Sequence, residues 1–422
     1  MSAKFRSPLR RASTVCFLLV GATVSAGARP EGAGAASTRV VAVGDVHGAF
    51  PEFVTILERT GLIDPKLQWT GGSAVLVQTG DIPDRGPGTR AALDLLMRLE
   101  AQAEKQNGRV LALLGNHEVM TMTGDLRYVS LEDYRSFSTD RSEKLREQAW
   151  EDYRKFMSNP RRPRHGESFD DAAREKWMAE HPPGFFERRD AFGPEGVYGR
   201  WLRQHDAIAR IGDVLFMHGG LDPKLRFHNV EELNKRIRYE LAMFDSLWES
   251  LSQKGIIWRY MTWEQAFRAA RDEWDAIESG RLQAPDASED LQKFLNFPNG
   301  MLMSEDSPLW YRGLALEPEE NLRRNLDKLL VRLKVQYIVA AHSVRPKFDI
   351  TPRFDNRVFL IDTGMLKPYF GGRASALEIQ DGRFTAYYAD GPQQQQVLLG
   401  PAPTAVQGDP RPGTSPPPPQ AR

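Results

Sequence analysis

The sequence contains little cysteine, carries no net charge and has no long apolar run. Its 422 residues include one cysteine, Cys16, and equal numbers of basic and acidic residues, 56 of each. A single thiol excludes a disulfide framework and gives no support for thiol chemistry. The balanced charge does not favour binding to nucleic acid or to an anionic membrane. With 41% hydrophobic and 27% charged residues, the chain has the composition of a globular protein with a substantial core.

The N-terminus has the pattern of an export signal. A basic segment precedes the apolar stretch 15–26, which ends in small residues suited to cleavage. An apolar stretch of about a dozen residues is too short for a comfortable transmembrane span. We therefore expect residues 1–28 to be a signal peptide and the protein to be exported, either to a periplasm or to the medium. An uncleaved anchor is the alternative; after cleavage no integral membrane span would remain.

The rest of the chain divides into a spacer, one large domain and a tail. Residues 29–37 have no periodic pattern and are predicted to be a flexible spacer. Residues 391–422 are rich in Pro, Gln and Gly and are predicted to be disordered or extended. Residues 38–390 are predicted to form the domain, with mainly helical insertions at about 119–210 and 224–306.

Short apolar, β-branched runs recur through this domain and alternate with helical patterns such as 89–106 and 317–334. Five runs are predicted to be strands buried on both faces, namely 39–43, 73–78, 110–114, 214–217 and 335–341. Three further strand candidates follow at 357–361, 374–380 and 384–389. Strands that alternate with helices indicate a layered α/β fold.

A polar, glycine-flanked motif follows each of the five strands. In chain order these motifs are GDVHG (44–48), GDIPDRG (80–86), GNHE (115–118), HGG (218–220) and HS (342–343). Ligands of α/β sheets bind at the carboxyl ends of strands, so we expect the five loops to converge on one site. Four of the eight histidines stand in these loops beside three aspartates and an asparagine. Independent structural roles for all of them are a poor explanation of that placement.

These side chains favour a centre of two metal ions. Carboxylate, imidazole and amide ligands without thiolate suit Mn, Fe or Zn. One carboxylate can bridge two cations about 3.5–4 Å apart, and Asp81, between the other groups in chain order, is the natural bridge. Such a pair lowers the pKa of a shared water, and the resulting metal-bridging hydroxide can attack a phosphoryl group in line.

The five ordered motifs resemble those of the phosphoprotein phosphatase branch of the calcineurin-like metallophosphoesterases, over residues 39–390. The segment SPLWYRG (307–313) is similar to the bacterial Shewanella-like subgroup. The resemblance implies a layered β-sandwich flanked by helices, with the helical insertions as a cap. It also implies a metal-dependent phosphatase that hydrolyses phosphate monoesters, with a phosphoprotein (Ser/Thr or Tyr) as the favoured substrate. The segment DTGM (362–365) departs from the SAPNYC-type stretch of the eukaryotic members, so substrate docking does not transfer.

The resemblance also assigns metal ligands. One ion would be held by Asp45, His47 and Asp81. The second would be held by Asp81, Asn116, His218 and His342. Mn²⁺ is the favoured ion, with Fe or Zn as alternatives.

Catalytic and phosphate-binding roles follow from the same resemblance. His117 is similar to the family's general acid, and Asp84 would orient it and raise its pKa. Arg85 and Arg312 would bind the phosphate oxygens, together with Asn116. The alternative for Asp84 and Arg85 is a salt bridge that stabilises the loop. Glu118 is expected to support its loop rather than to bind metal.

Two other functions stay open. Dinucleoside polyphosphate hydrolases share GDxHG and GDxxDRG, and an aromatic platform beside the metals, formed from Tyr311, Tyr369 or Phe370, would favour that activity. A catalytically inactive phosphate-binding scaffold should lack a metal ligand or the acid, and this sequence lacks none. The expected partner is a phosphorylated protein or small molecule and not nucleic acid; the oligomeric state is not predicted.

Overall fold

Two β-sheets packed face to face form the centre of the structure, a computed structural model that describes residues 38–158, 169–283, 285–391 and 394–400. The predicted signal peptide, the spacer and residues 401–422 of the predicted tail lie outside these ranges. The strands within them are β1 (Val40–Val43), β2 (Val75–Gln78), β3 (Arg109–Ala112), β4 (Ile208–Ile211), β5 (Val214–Met217), β6 (Tyr337–Ala340), β7 (Thr351–Arg353), β8 (Val358–Leu360), β9 (Ser375–Gln380), β10 (Arg383–Tyr388) and β11 (Gln395–Leu399).

Helices pack against the outer faces of the sheets and form two long insertions between strands. Those of the described ranges are α1 (Phe50–Arg59), α2 (Thr89–Glu104), α3 (Asn116–Thr123), α4 (Leu131–Phe137), α5 (Ser142–Met157), α6 (Asp171–Glu180), α7 (Phe185–Phe192), α8 (Val197–Leu202), α9 (Val230–Gln253), α10 (Trp263–Glu278), α11 (Pro285–Leu295), α12 (Gly313–Leu316), α13 (Glu319–Leu333) and α14 (Lys367–Phe370). Helices α4–α8 and α9–α11 fall in the two stretches expected to be helical insertions. None of these helices is both long enough and apolar enough to cross a membrane.

The order and direction of the strands bring the motifs to one edge. The first sheet has the order β11–β10–β9–β1–β2–β3 and the second β4–β5–β6–β8–β7. Strands β1, β2 and β3 are parallel to one another, and so are β5, β6 and β8. Within each trio the carboxyl ends therefore lie at the same edge of the sheet, and each predicted motif begins there.

Side chains of the central strands alternate between two apolar layers. In β1, Val40 and Ala42 contact the opposite sheet, whereas the other two residues pack under helices. In the layer between the sheets, the rings of Phe359 and Phe384 stack with their centroids 4.5 Å apart. Because both faces of these strands are covered, their sequences are continuous apolar runs, which made them recognisable. The predicted α/β sandwich flanked by helices is confirmed.

Three strands were not predicted, and all three lie at sheet edges. β4 ends a stretch assigned to a helical insertion, and β7 contains a proline, which an edge strand tolerates. β11 pairs antiparallel with β10. Of the two conformations expected for the tail, Gln395–Leu399 therefore adopt the extended one. These three edge strands are paired on one side only and consist largely of exposed or half-buried residues, so their sequences lack the apolar run of β1 or β2.

Candidate metal centre

The loops after β1 and β2 are joined backbone to backbone. The amides of Val46 and His47 both donate to the carbonyl of Asp81 at 2.9 Å, and the amide of Gly48 donates to Ile82 at 2.9 Å. Gly48 has a φ of +68°, and a side chain there would overlap the carbonyl oxygen of Gly86. Only glycine permits this approach, so the glycines of the two motifs fix the loops against each other.

Several residues of these loops have a left-handed backbone, which is costly for any residue with a side chain. Each such residue is disfavoured by about 1–3 kcal/mol and persists only where its surroundings impose the conformation. The predicted site residues with positive φ are His47 (47°), Asp81 (58°), Asp84 (73°), Arg85 (68°) and His342 (66°). Five of the 13 non-glycine residues with positive φ in the described ranges are thus positions to which chemistry was assigned.

All six side chains predicted to bind metal lie in one buried cluster. In the first ligand group, Nε2 of His47 lies 3.5 Å from Oδ2 of Asp81 and 3.6 Å from Oδ2 of Asp45. The same oxygen of Asp81 lies 3.2 Å from Nε2 of His218, which belongs to the second ligand group. Asp81 therefore stands between the two ligand groups, the position required of a bridging carboxylate.

The second ligand group is the tighter of the two. Nε2 of His218 lies 2.9 Å from Oδ1 of Asn116 and 2.9 Å from Nδ1 of His342. Nδ1 of His218 lies 3.1 Å from the carbonyl of Thr79, which fixes the orientation of the ring. Asp81, His218 and His342 present ligand atoms within 4.8 Å of one another.

The buried carboxylates of the cluster are stabilised by positive charge beside them. Burial alone would raise the pKa of Asp81, but the imidazoles of His218 and His117 lower it well below its usual value. Conversely, burial alone would lower the pKa of His218, but the carboxylates of Asp81 and Asp45 raise it to about 9. Buried carboxylates that would otherwise draw a proton onto an imidazole are suited to hold a metal cation in its place.

Two buried atoms at the cluster also fit bound metal. Nε2 of His342 and Oδ2 of Asp362 have no hydrogen-bond partner among the described residues. Buried polar atoms in folded proteins are nearly always satisfied by a partner, an ordered water or an ion. With the mixed oxygen and nitrogen donor set, they make the cluster consistent with a dinuclear metal site.

His117 and Asp84 form a buried pair beside the cluster. Nδ1 of His117 lies 2.7 Å from Oδ2 of Asp84, and the backbone amide of His117 donates to Oδ1 of Asp81 at 2.9 Å. Nε2 of the same ring lies 3.9 Å from Oδ2 of Asp81, so this nitrogen faces the cluster. Burial alone would lower the pKa of His117, but Asp81 and Asp84 raise it. An imidazole that retains its proton and faces the reaction site can act as a general acid.

Arg85 reaches into the cluster from the rim. Its Nη1 lies 2.7 Å from Nε2 of His47, and its Nη2 lies 3.1 Å from Nε2 of His117. The rings of three aromatic residues lie about 5 Å from its guanidinium carbon and enclose it; they are Tyr128 (5.1 Å), Tyr369 (5.1 Å) and Phe370 (5.0 Å). The guanidinium is therefore directed at the cluster and not at Asp84, which disfavours the loop salt bridge between the two.

The remaining predicted residues contact the loops of the site. Arg312 is exposed and donates to the carbonyl of His342 at 2.6 Å and to Oγ of Ser343 at 3.1 Å. Glu118 accepts three backbone N–H bonds of 2.8 Å, from Asp81, Ile82 and Gly115. Arg312 thus lies against the loop of a predicted ligand rather than on the cluster. Glu118 holds the loop after β2 against the loop after β3, as expected of a supporting residue.

Sequence reasoning missed two features of the site. Asp362 follows β8 at the same sheet edge as the other motifs, and its position directly after a predicted strand was a signal that could have revealed it. Arg188, in α7, donates from Nη2 to Oδ1 of Asp84 at 2.7 Å. Arg188 belongs to a charged, helical stretch with many arginines, and no local pattern distinguishes it.

Comparison with known proteins gives the class of the chain. The family model for calcineurin-like phosphoesterases matches residues 38–346. The chain therefore belongs to the calcineurin-like phosphoesterase family, and the predicted class of enzyme, a metal-dependent phosphatase, is confirmed.

Individual proteins similar to this chain indicate a subgroup within the family. It is 31% identical to an uncharacterized protein of Schizosaccharomyces pombe over 80% of this chain and 76% of that protein. It is 31% identical to Shewanella-like protein phosphatase 2 of Arabidopsis thaliana over 47% of this chain and 51% of that one. Among solved structures, a cold-active protein tyrosine phosphatase superposes with a TM-score of 0.55 at 24% identity, over 86% of this chain and 79% of that one. These matches confirm the fold and the resemblance to the Shewanella-like phosphatases.

Proposed function

We propose that this protein hydrolyses phosphate monoesters on proteins, with phosphotyrosine preferred to phosphoserine and phosphothreonine. The observation that carries the proposal is the arrangement around Arg85. Its guanidinium faces the metal-ligand cluster and is enclosed by Tyr128, Tyr369 and Phe370. A phosphate bound there would be flanked by aromatic rings able to stack on the phenyl group of the ester.

The side chains of the site have different roles in the proposed hydrolysis. Metal ions bound by Asp45, His47, Asp81, Asn116, His218 and His342 would activate a water and stabilise the charge on the phosphoryl oxygens. Arg85 supplies two further N–H donors to those oxygens. The proton on Nε2 of His117 is delivered to the leaving oxygen, while Asp84 holds Nδ1 of the same ring and keeps it correctly oriented. Mn²⁺ is the proposed ion, because oxygen and imidazole ligands without thiolate suit it.

Names of similar proteins give independent support for a protein substrate. Relatives in Arabidopsis thaliana and Plasmodium berghei are named as protein phosphatases. The solved structure with a TM-score of 0.55 is described as a protein tyrosine phosphatase.

The dinucleoside polyphosphate alternative has weaker support. Of the three aromatic residues considered for base stacking, Tyr311 is buried against the backbone of Gly219 and Gly220. Tyr369 and Phe370 lie at the rim beside Arg85, where a base would stack on them as a phenyl group would, so only the names of similar proteins and the test below separate the two substrates. An inactive scaffold is likewise disfavoured, because every predicted ligand and the predicted acid meet in one cluster.

Matched peptides test the proposal. The full chain, loaded with Mn²⁺, is assayed on one peptide sequence carrying phosphotyrosine, phosphoserine or phosphothreonine, and on a dinucleoside tetraphosphate. We expect the highest kcat/KM on phosphotyrosine. Replacement of Tyr369 by Ala should lower that preference, whereas Tyr239→Ala, at an exposed position on α9, should not. Faster cleavage of the dinucleotide would overturn the proposed substrate in favour of the alternative.

We also propose that the protein is exported. The support is the basic segment and short apolar stretch of residues 1–28. N-terminal sequencing of the protein from a fractionated bacterial host tests it. Recovery outside the cytoplasm with a new N-terminus near residue 29 is expected, and full-length protein in the cytoplasm would contradict it.

A further inference from the structure

Arg188 is a completely enclosed cation in the first helical insertion. Its side chain is 1% exposed. The ring of Phe192 lies 4.9 Å from its guanidinium carbon, and the rings of Tyr134 and Phe137 lie at 5.9 and 6.0 Å. These three rings exclude water from the guanidinium, so its charge must be balanced by neighbouring protein groups.

The balancing groups connect the insertion to the catalytic pair. Nη2 of Arg188 donates to Oδ1 of Asp84 at 2.7 Å and to Oγ1 of Thr121 at 3.2 Å. Nε donates to Oδ2 of Asp133 at 2.9 Å. Asp84 and Asp133 are both fully buried. One guanidinium therefore joins a carboxylate of the metal-site loops to a carboxylate of α4.

The two carboxylate oxygens of Asp84 therefore contact different partners. Oδ2 holds Nδ1 of His117 at 2.7 Å, and Oδ1 is held by Arg188 and, at 3.3 Å, by Thr121. Asp84 has a φ of 73°, so its own backbone does not favour the conformation that aims the carboxylate at His117. A planar guanidinium with fixed N–H directions is suited to set the rotation of that carboxylate.

We infer that Arg188 is a positioning residue for proton transfer, which aligns His117 by holding Asp84 and so makes the helical insertion part of the catalytic apparatus. The inference rests on the proposed function of the site. Arg188 is buried, and its hydrogen-bond partners Asp84, Thr121 and Asp133 are not predicted metal ligands, so its replacement should affect leaving-group protonation and leave metal binding intact.

Dependence on the leaving group separates this role from a structural one. An ester of p-nitrophenol needs little help from an acid, whereas the phenolate released from phenyl phosphate is far more basic and does need it. We expect Arg188→Gln to lower the ratio of kcat on phenyl phosphate to kcat on p-nitrophenyl phosphate by about tenfold or more. Arg188→Lys keeps the positive charge but loses the planar guanidinium with its fixed N–H directions. It should lower the ratio by a smaller factor. If the glutamine variant does not fold, the lysine variant carries the test.

Two controls accompany these variants. Arg203, in the same insertion as Arg188 but without a contact to the catalytic pair, donates two hydrogen bonds to Asp245 of α9, at 2.7 and 2.8 Å. Arg203→Gln should therefore leave the ratio unchanged, even if the protein is destabilised. In a His117→Ala background, Arg188→Lys should cause no further fall in the ratio, because the effect passes through His117.

Each outcome bears on the inference. A lowered ratio with unchanged metal content supports it. An unchanged ratio in folded, active Arg188 variants overturns it and leaves the proposed function standing. A metal-loaded wild-type protein that hydrolyses neither ester overturns the proposed function, and this inference with it.

Discussion

Nδ1 of His117 and Oδ2 of Asp84 lie 2.7 Å apart, and neither side chain is more than 2% exposed. The contact leaves Nε2 of the same ring directed toward the metal-ligand cluster. A histidine held in this way can retain a proton on the nitrogen that faces a leaving group. In the proposed function, the acid is therefore a residue outside the set of predicted metal ligands.

Replacement of His117 by alanine should therefore reduce turnover by more than about a hundredfold on substrates with a poor leaving group. The loss should be smaller on p-nitrophenyl phosphate, whose leaving group needs little protonation. Steady-state kinetics with metal content measured in parallel checks this. Unchanged turnover on phenyl phosphate would remove His117 from the role of acid.

Glu118 gives a second prediction, concerning stability. Its carboxylate accepts N–H bonds from Asp81, Ile82 and Gly115, and glutamine has one acceptor oxygen where glutamate has two. Glu118→Gln should lower the free energy of unfolding by about 2 kcal/mol, because a buried backbone donor would lose its acceptor. Denaturant unfolding measures it. Glu132→Gln, on an exposed side chain of α4, is the control, and equal stability of both variants would contradict the account.

The packing of the two sheets against each other gives a third prediction, which also concerns stability. Phe384 is 1% exposed and stacks on Phe359 of the opposite sheet. Phe384→Ala should destabilise the protein by about 3–5 kcal/mol, through lost burial and the cavity left behind. Val331→Ala, at a position that is 79% exposed, should change stability by less than about 0.5 kcal/mol. A similar effect of both substitutions on the unfolding midpoint would show that the sheets do not pack as described.

His181 gives a prediction about pH, at a distance from any proposed ligand. Burial lowers the pKa of this imidazole to about 4, and its Nδ1 lies 2.7 Å from the carbonyl of Trp177. Since the unfolded chain takes up this proton near pH 6.5, the stabilisation is complete above that pH and is lost as the pH falls toward about 4. The contribution is about 3 kcal/mol, since one pKa unit corresponds to about 1.4 kcal/mol.

His181→Phe tests that contribution, because the ring packs among Trp177, Phe185 and Phe186 and the variant cannot take up the proton. Its free energy of unfolding should depend less on pH than that of the wild type between pH 6.5 and about 4. Equal slopes for the two proteins in this interval would show that His181 is not buried in its neutral form.

The sequence was most informative where strands end. Asp45, Asp81 and His218 each follow a buried strand within a few residues, and the rules for parallel sheets bring such residues to one edge. The edge strands β4, β7 and β11 could not be recognised, because they are stabilised mainly by backbone pairing that leaves little trace in side-chain pattern. Arg188 was equally hidden, since its contact with Asp84 spans 104 positions and depends on how the insertion packs.

Removal of the metal ions tests whether the buried cluster around Asp81 is the catalytic centre. The full chain is stripped with a chelator, and hydrolysis of p-nitrophenyl phosphate and bound metal are measured before and after addition of Mn²⁺. We expect no activity in the stripped protein, recovery with about two ions per chain, and loss of both activity and metal in Asp81→Asn. Full activity of the stripped protein, or of Asp81→Asn without metal, would contradict it.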